Sequence, residues 1–139
     1  MTNLAHTNRM IAILPCNDLD ASERFYNRLG FTRPDSTRPP KGEPDTYRML
    51  TDGKGAALHL TEAVEGWLVC GRNPFGLYRY CEDVDRLATE FAGEIVGNGR
   101  PEEKPWGTYE FALSDPDDTL VRAGWPTRLR GGASRREAT

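Results

Sequence analysis

Few side chains in this 139-residue sequence can do chemistry unaided. His6 and His59 are its histidines, and Cys16, Cys70 and Cys81 its cysteines. No cysteine is paired with a neighbouring histidine, and the odd number without paired spacing reads as free, reduced thiols of a cytoplasmic protein. Their simplest role is that of small buried hydrophobes. Carboxylates crowd at Asp18 and Asp20, at Asp83 and Asp85, and from Asp115 to Asp118. Each group stands where a helix begins or a strand turns, so capping and turn formation account for it. There is no Gly-x-Ser-x-Gly and no phosphate loop, and no catalytic set emerges. Stacking remains. Trp106, Tyr47, Trp67, Tyr109 and Phe111 offer flat faces that hold planar ligands and attract cations. Trp106 leads because it follows a proline-containing loop and precedes Gly107; it could equally plug the base of a hairpin. Phe111 has core packing as its competing role, and Trp67 could line a cleft or cover a sheet. His59, alone on a strand, is either a hydrogen-bonded core residue or part of a ligand cleft.

The elements that must position these residues can be read from periodicity. Residues 104–126 form a hairpin. Tyr109, Phe111 and Leu113 alternate with Thr108, Glu110 and Ser114, Asp115-Pro116-Asp117-Asp118 turns, and Thr119–Ala123 returns. Upstream, Met10–Leu14 is an apolar strand broken at Pro15. Asp18 or Asp20 caps a helix with Ser22, Phe25, Tyr26 and Leu29 on one face, ended by Gly30. Phe31 opens a short strand, 34–44 is a proline-rich loop, and 45–51 and 56–61 pair across Asp52-Gly53-Lys54-Gly55. The second half repeats the first. A strand at 75–81 precedes a helix from Asp83 with Val84, Leu87, Ala88 and Phe91 on one face. A short strand at 94–96 and a loop at 97–105 lead to the hairpin. The order is βαβββ twice, an α+β fold with modules at about 8–70 and 74–126 in a single domain of residues 1–126, since neither half buries its sheet alone.

Composition removes several classes. Hydrophobic residues at 37% and charged residues at 28% are ordinary for a globular domain. No apolar run approaches the about 20 residues of a membrane span, and the first residues do not read as a signal peptide. The net charge is −3, and the tail 127–139 carries four arginines against one glutamate, so the remainder is more acidic still. An acidic body argues against nucleic acid and suits a cationic ligand. The tail is expected to be disordered and solvated.

Pro105-Trp106-Gly107, Glu110-Phe111-Ala112-Leu113 and Asp115-Pro116 resemble the last hairpin of bleomycin-resistance proteins, within the glyoxalase, bleomycin-resistance and dihydroxybiphenyl-dioxygenase superfamily (the vicinal oxygen chelate fold). Asp18-Leu19-Asp20-Ala21-Ser22, Phe25-Tyr26 and Leu29-Gly30-Phe31 resemble its opening helix. The family usually continues Asp-Pro with Asp-Gly-Asn, and Asp118 stands at the glycine. The resemblance implies curved sheets around a cleft, completed by two chains in a homodimer. It also implies that Trp106 matches the tryptophan that stacks on the drug. Metal enzymes of the superfamily place His, Glu, His and Glu on the first and last strands of the modules. The matching positions here are Ile11, His59, Gly76 and Arg122. One donor in four, with a permanent cation at another, implies no metal and no cofactor. The expected function is metal-free sequestration of a cationic aromatic glycopeptide or similar drug, with Trp106, Tyr47, His59, Trp67, Tyr109, Phe111 and Arg122 at the site. The alternative is an enzyme of the superfamily, a lyase, isomerase or thiol transferase, in which Arg122 would clamp a carboxylate substrate.

Overall fold

The computed structural model describes residues 8–131; His6 and the tail from 132 onward lie outside the described residues. The chain divides into two compact units, one ending at Arg72 and the other beginning at Asn73. In the first unit, β1 (Ile13–Cys16), β2 (Tyr47–Thr51) and β3 (Ala57–Glu62) form a sheet in the order β1-β3-β2. β1 runs parallel to β3 and β2 antiparallel to it. The helix α1 (Leu19–Arg28) connects β1 to the loop before β2. In the second unit, β4 (Gly76–Tyr80), β5 (Glu102–Glu103), β6 (Thr108–Ser114) and β7 (Leu120–Pro126) form a mixed sheet in the order β4-β7-β6-β5, and α2 (Val84–Glu90) follows β4. Two mixed sheets with a helix each are the α+β architecture expected. The expected short strands after each helix are reduced to single bridges, Thr32 with Thr51 and Val96 with Ala112. The first strand begins three residues later than expected and runs through Pro15, which lies opposite Thr61. Pro15 is tolerated because β1 is an edge strand. The carbonyls of Ala12 and Cys16 accept bonds from His59 and Ala63, so Pro15, in the alternate phase, turns its missing donor away from the sheet.

In the first unit, Leu14, Cys16, Leu50, Leu58 and Leu60 from one sheet face are buried, as are Phe25, Tyr26 and Leu29 from α1 and its end. The Asp18 carboxylate accepts from the Ala21 N–H at 3.1 Å and caps the helix. Asp20 instead accepts from Arg48 at 2.8 Å. Arg48 also meets Glu23 and Asp45, while Arg33 meets Glu23 at 3.1 Å and Asp45 at 2.6 Å. Two arginines, both nearly buried, thus hold the segment entering β2 against α1. The bond from Arg33, with the nearby positive charges, outweighs burial and holds the Asp45 carboxyl below its ordinary range.

In the second unit, Phe111, Leu113, Val121 and Ala123 are buried on one sheet face, and Val84, Leu87, Ala88 and Phe91 of α2 and its end are buried too. The β6–β7 turn is organised by Asp115, whose carboxylate accepts from the N–H groups of Asp117 and Thr119 at 2.8 and 2.9 Å. The turn does require a left-handed residue at Asp118, with φ +64°. Asp118 is a tolerable choice because its carboxylate also accepts from Ser114. The first residues of the basic tail make contacts with the second unit. Thr127–Leu129 forms a 3-10 turn, and Arg130 lies 3.6 Å from the centre of the Tyr109 ring and 3.4 Å from Asp85.

Asp115→Ala would leave two buried N–H groups without their acceptor, so it should cost about 2–3 kcal/mol. Asp115→Asn, which keeps one accepting oxygen, should cost about half as much. Urea midpoints for the two variants check this; equal midpoints would contradict it.

Candidate functional site

Each sheet has one face turned to its helix and one left exposed, and the exposed faces carry most of the residues able to recognise a ligand. On β6 the alternation that buries Phe111 sends Thr108, Glu110 and Ala112 to the other face. The register adds Arg122 and Gly124 from β7 and Tyr78 and Tyr80 from β4 to that same face. Glu110 is nonetheless only 2% exposed. Its Oε1 accepts from Tyr78 Oη at 3.0 Å, Trp106 Nε1 at 3.2 Å and Thr108 Oγ1, and its Oε2 accepts from Arg122 Nη1 at 3.1 Å. Gly124, directly opposite Glu110, makes this possible. A Cβ there would stand 2.4 Å from the Tyr78 hydroxyl and 2.6 Å from Glu110 Cβ. Burial pushes the Glu110 carboxyl upward, but the four donors outweigh it and hold the group below the ordinary glutamate range. Burial, with the neighbouring carboxylate, pushes the Tyr78 phenol up to about 12, so it remains a donor.

The network fixes an aromatic wall. Trp106 is 65% exposed, yet its indole N–H is tied to Glu110, and the turn beneath it closes by the Gly107 N–H donating to the Lys104 carbonyl. Gly107 adopts φ +94°, which explains the glycine after the tryptophan. Tyr78 and Tyr80, both exposed, have ring centres 4.8 Å apart. Glu110, Tyr78 and Tyr80 are absent from the sequence-derived site. The i, i+2 spacing in Leu77-Tyr78-Arg79-Tyr80 is the signal that could have found the tyrosines.

The other expected residues are placed as follows. Phe111, at 3% exposed, belongs to the core on the opposite face, because it shares its phase with Leu113. Tyr109 also faces away from Glu110; its hydroxyl donates to Asp85 and its ring carries Arg130. Burial and that carboxylate push its phenol up to about 12. In the first unit, the Tyr47 hydroxyl and His59 Nδ1 lie 2.7 Å apart on the exposed face, beside the exposed Met49. His59 borders a cavity of about 490 Å3. Burial, then the charge of Arg9, lowers the His59 pKa, so the imidazole is neutral at pH 7. Trp67, at 82% exposed, lies in the turns after β3.

The donor set does not fit a metal. Of the four family positions only His59 carries a donor, and Arg122 is committed to Glu110. Among the described residues no three His, Cys, Asp or Glu come together. Cys81 is no nucleophile at neutral pH, since burial pushes its thiol up to about 11.

Because the folded-state pKa of Glu110 is depressed, its contribution to stability is present above about pH 4.5 and is lost as the pH falls through the folded value. Glu110→Gln should cost about 1–3 kcal/mol at pH 7 by breaking the pair with Arg122. It should also flatten the fall of the urea midpoint between pH 5 and pH 3. An acid profile unchanged by the substitution would show that Glu110 carries no such linkage.

Residues 3–122 match the sequence profile described as Glyoxalase/Bleomycin resistance protein/Dioxygenase superfamily. Among curated proteins there is no match. Among solved structures, the chain is 26% identical to a bleomycin-binding protein complexed with bleomycin, covering 86% of this chain and 98% of that one with a TM-score of 0.64. It is also 26% identical to a bleomycin resistance determinant encoded on the transposon Tn5, with the same coverage and a TM-score of 0.65. A lactoylglutathione lyase from Agrobacterium tumefaciens, 21% identical with a TM-score of 0.60 over 88% of this chain and 97% of that one, shares the fold. On the extent of the profile match, the chain belongs to the glyoxalase/bleomycin resistance protein/dioxygenase superfamily.

Proposed function

We propose that this chain is a binding protein that sequesters a flat, cationic aromatic compound of the bleomycin kind, without turnover, metal or cofactor. The observation that carries the reading is the exposed Trp106, held by its N–H to the buried Glu110 beside two exposed tyrosines. An indole pinned in place presents a stacking surface that loses little freedom when a planar ring settles on it. The 26% identity to two proteins described as binding or resisting bleomycin supports the same ligand class. The acidic balance of the chain favours a cation.

In this reading two chains pair as a homodimer, residues 1–126 act as one functional domain, and Tyr47, His59, Trp67 and Arg122 contribute to recognition. Phe111 and Tyr109 act from behind, as packing. The location is the cytoplasm, as an odd number of cysteines without paired spacing suggests. No described helix is long and apolar enough to cross a membrane.

Calorimetric titration of copper-free bleomycin into metal-analysed protein tests the proposal. A stoichiometry of two drugs per dimer is expected, with Trp106→Ala weakening binding by about 1–3 kcal/mol through loss of a stacked aromatic. Absence of binding, or turnover of the compound, would overturn the reading. Affinity unchanged in Trp106→Ala would remove the indole from the site.

A further inference from the structure

The segment after β7 lies beyond the residues that the family profile matches, which end at position 122, yet it reaches the turn that carries Trp106. Pro126 lies opposite Thr108, and the next residue, Thr127, donates its N–H to the Gly107 carbonyl at 2.9 Å. Gly107 itself closes the turn by donating to the Lys104 carbonyl at 3.0 Å. Its φ of +94° is one of many values open to a glycine, so the peptide after Trp106 needs a partner from outside the turn to keep one orientation. The Thr127 N–H is that partner. A single backbone bond contributes only about 1 kcal/mol, too little to hold a segment at the margin of a sheet unaided. The anchor comes three residues on. The Arg130 N–H donates to the Thr127 carbonyl at 3.2 Å, and its guanidinium lies 3.6 Å from the centre of the Tyr109 ring and 3.4 Å from the Asp85 carboxylate. The Tyr109 hydroxyl donates to the same carboxylate, so ring, acid and cation hold one another. Leu129, at 55% exposed, is no anchor, whereas the Arg130 side chain is 18% exposed.

We propose that Arg130 is a positioning residue for the Trp106 stacking surface. Held by the Tyr109 ring and Asp85, it keeps the 127–130 turn where the Thr127 N–H meets Gly107, and so sets the direction from which the indole projects. The bond from the indole N–H to Glu110 fixes one point of the ring, about which the ring could still swing. The clamp fixes the backbone behind it. The two holds act from opposite faces of β6, because Tyr109 and Glu110 alternate along the strand. The effect on ligand affinity rests on the sequestration reading; the hold on the indole does not.

The full chain labelled with 5-fluorotryptophan gives one 19F signal for each of Trp67, Trp106 and Trp125, assigned by single substitutions to phenylalanine. In the absence of urea, Arg130→Ala should shift or broaden the Trp106 signal. It should also weaken the binding of copper-free bleomycin about three- to tenfold in calorimetry, because the stacking surface loses its preorganisation. Arg130→Lys, which keeps a cation over the ring, should recover part of both. A merely structural Arg130 would lower the urea midpoint and leave the Trp106 signal of the folded chain in place, and that result would overturn the proposal. So would unchanged bleomycin affinity in Arg130→Ala, or no recovery in Arg130→Lys. Should Arg130→Ala fail to fold, Asp85→Asn, which weakens the other side of the clamp, must move the Trp106 signal instead. A wild-type chain that binds no bleomycin, with its Trp106 signal still moved by Arg130→Ala, would sink the sequestration reading and leave the hold on the indole standing. Intact wild-type binding with an unmoved signal would sink this proposal alone.

Discussion

A short sheet backed by one helix can cover only one of its faces, and everything distinctive in each unit follows from how the second face is managed. With period-2 geometry, every strand must send alternate residues to the side without a helix. In the first unit that side receives Ile13, Tyr47, Met49 and His59; in the second it receives Tyr78, Tyr80, Glu110 and Arg122. Neither set would stabilise a core. Both are large and hold one polar group fast. A face of this kind leaves apolar area exposed beside polar groups that are few and fixed.

The two units solve the problem at equivalent positions. His59 lies opposite Ile13 on one neighbouring strand and Met49 on the other, as Arg122 lies opposite Tyr78 and Ala112. Strand for strand, β1, β3 and β2 then correspond to β4, β7 and β6, and Tyr47 corresponds to Glu110. In each unit the same diagonal pair of positions is joined: the Tyr47 hydroxyl with His59 Nδ1, and Glu110 with Arg122. Diagonal neighbours in a sheet are within reach of long side chains, so the repeat preserves a contact geometry while changing its chemistry from a neutral pair to an ion pair.

This division explains what was legible in the sequence. Alternation in Thr108–Ser114 assigns both faces of β6 correctly, and helical spacing assigns the buried faces of α1 and α2. The left-handed backbone at Asp118 falls where the family resemblance puts a glycine, and not where the turn residues of this sequence alone would place it. What alternation cannot register is burial on the face away from the helix. Glu110 is buried there because Gly124 admits the Tyr78 hydroxyl and because Thr108, Trp106 and Arg122 converge from other strands and a turn. The bond from Tyr78 to Glu110 alone joins residues 32 apart in the chain, beyond any local pattern. Pro15 misleads for a related reason. Its effect depends on which edge of the sheet it faces, and only the pairing with β3 decides that. Phe111 and Tyr109 were drawn into the candidate site by residue type, whereas their phase on the strand assigns them to the other side.

The presence of Arg122 where metal enzymes of this superfamily carry a carboxylate has a consequence for the whole face. A guanidinium there attracts an anionic partner, and Glu110 provides it, two residues along the neighbouring strand from the position opposite Arg122. Once ionised and buried, that carboxylate has lone pairs that must be satisfied, and the neutral donors of Tyr78, Thr108 and Trp106 do so. The indole is thereby drawn to a defined place by its N–H while its face stays in solvent. A single cation thus accounts for the buried acid, the glycine opposite it and the fixed tryptophan together. At Arg122, one position where the metal enzymes would hold an ion, this chain instead engages a carboxylate of its own, and the network built on that carboxylate leaves aromatic surface exposed.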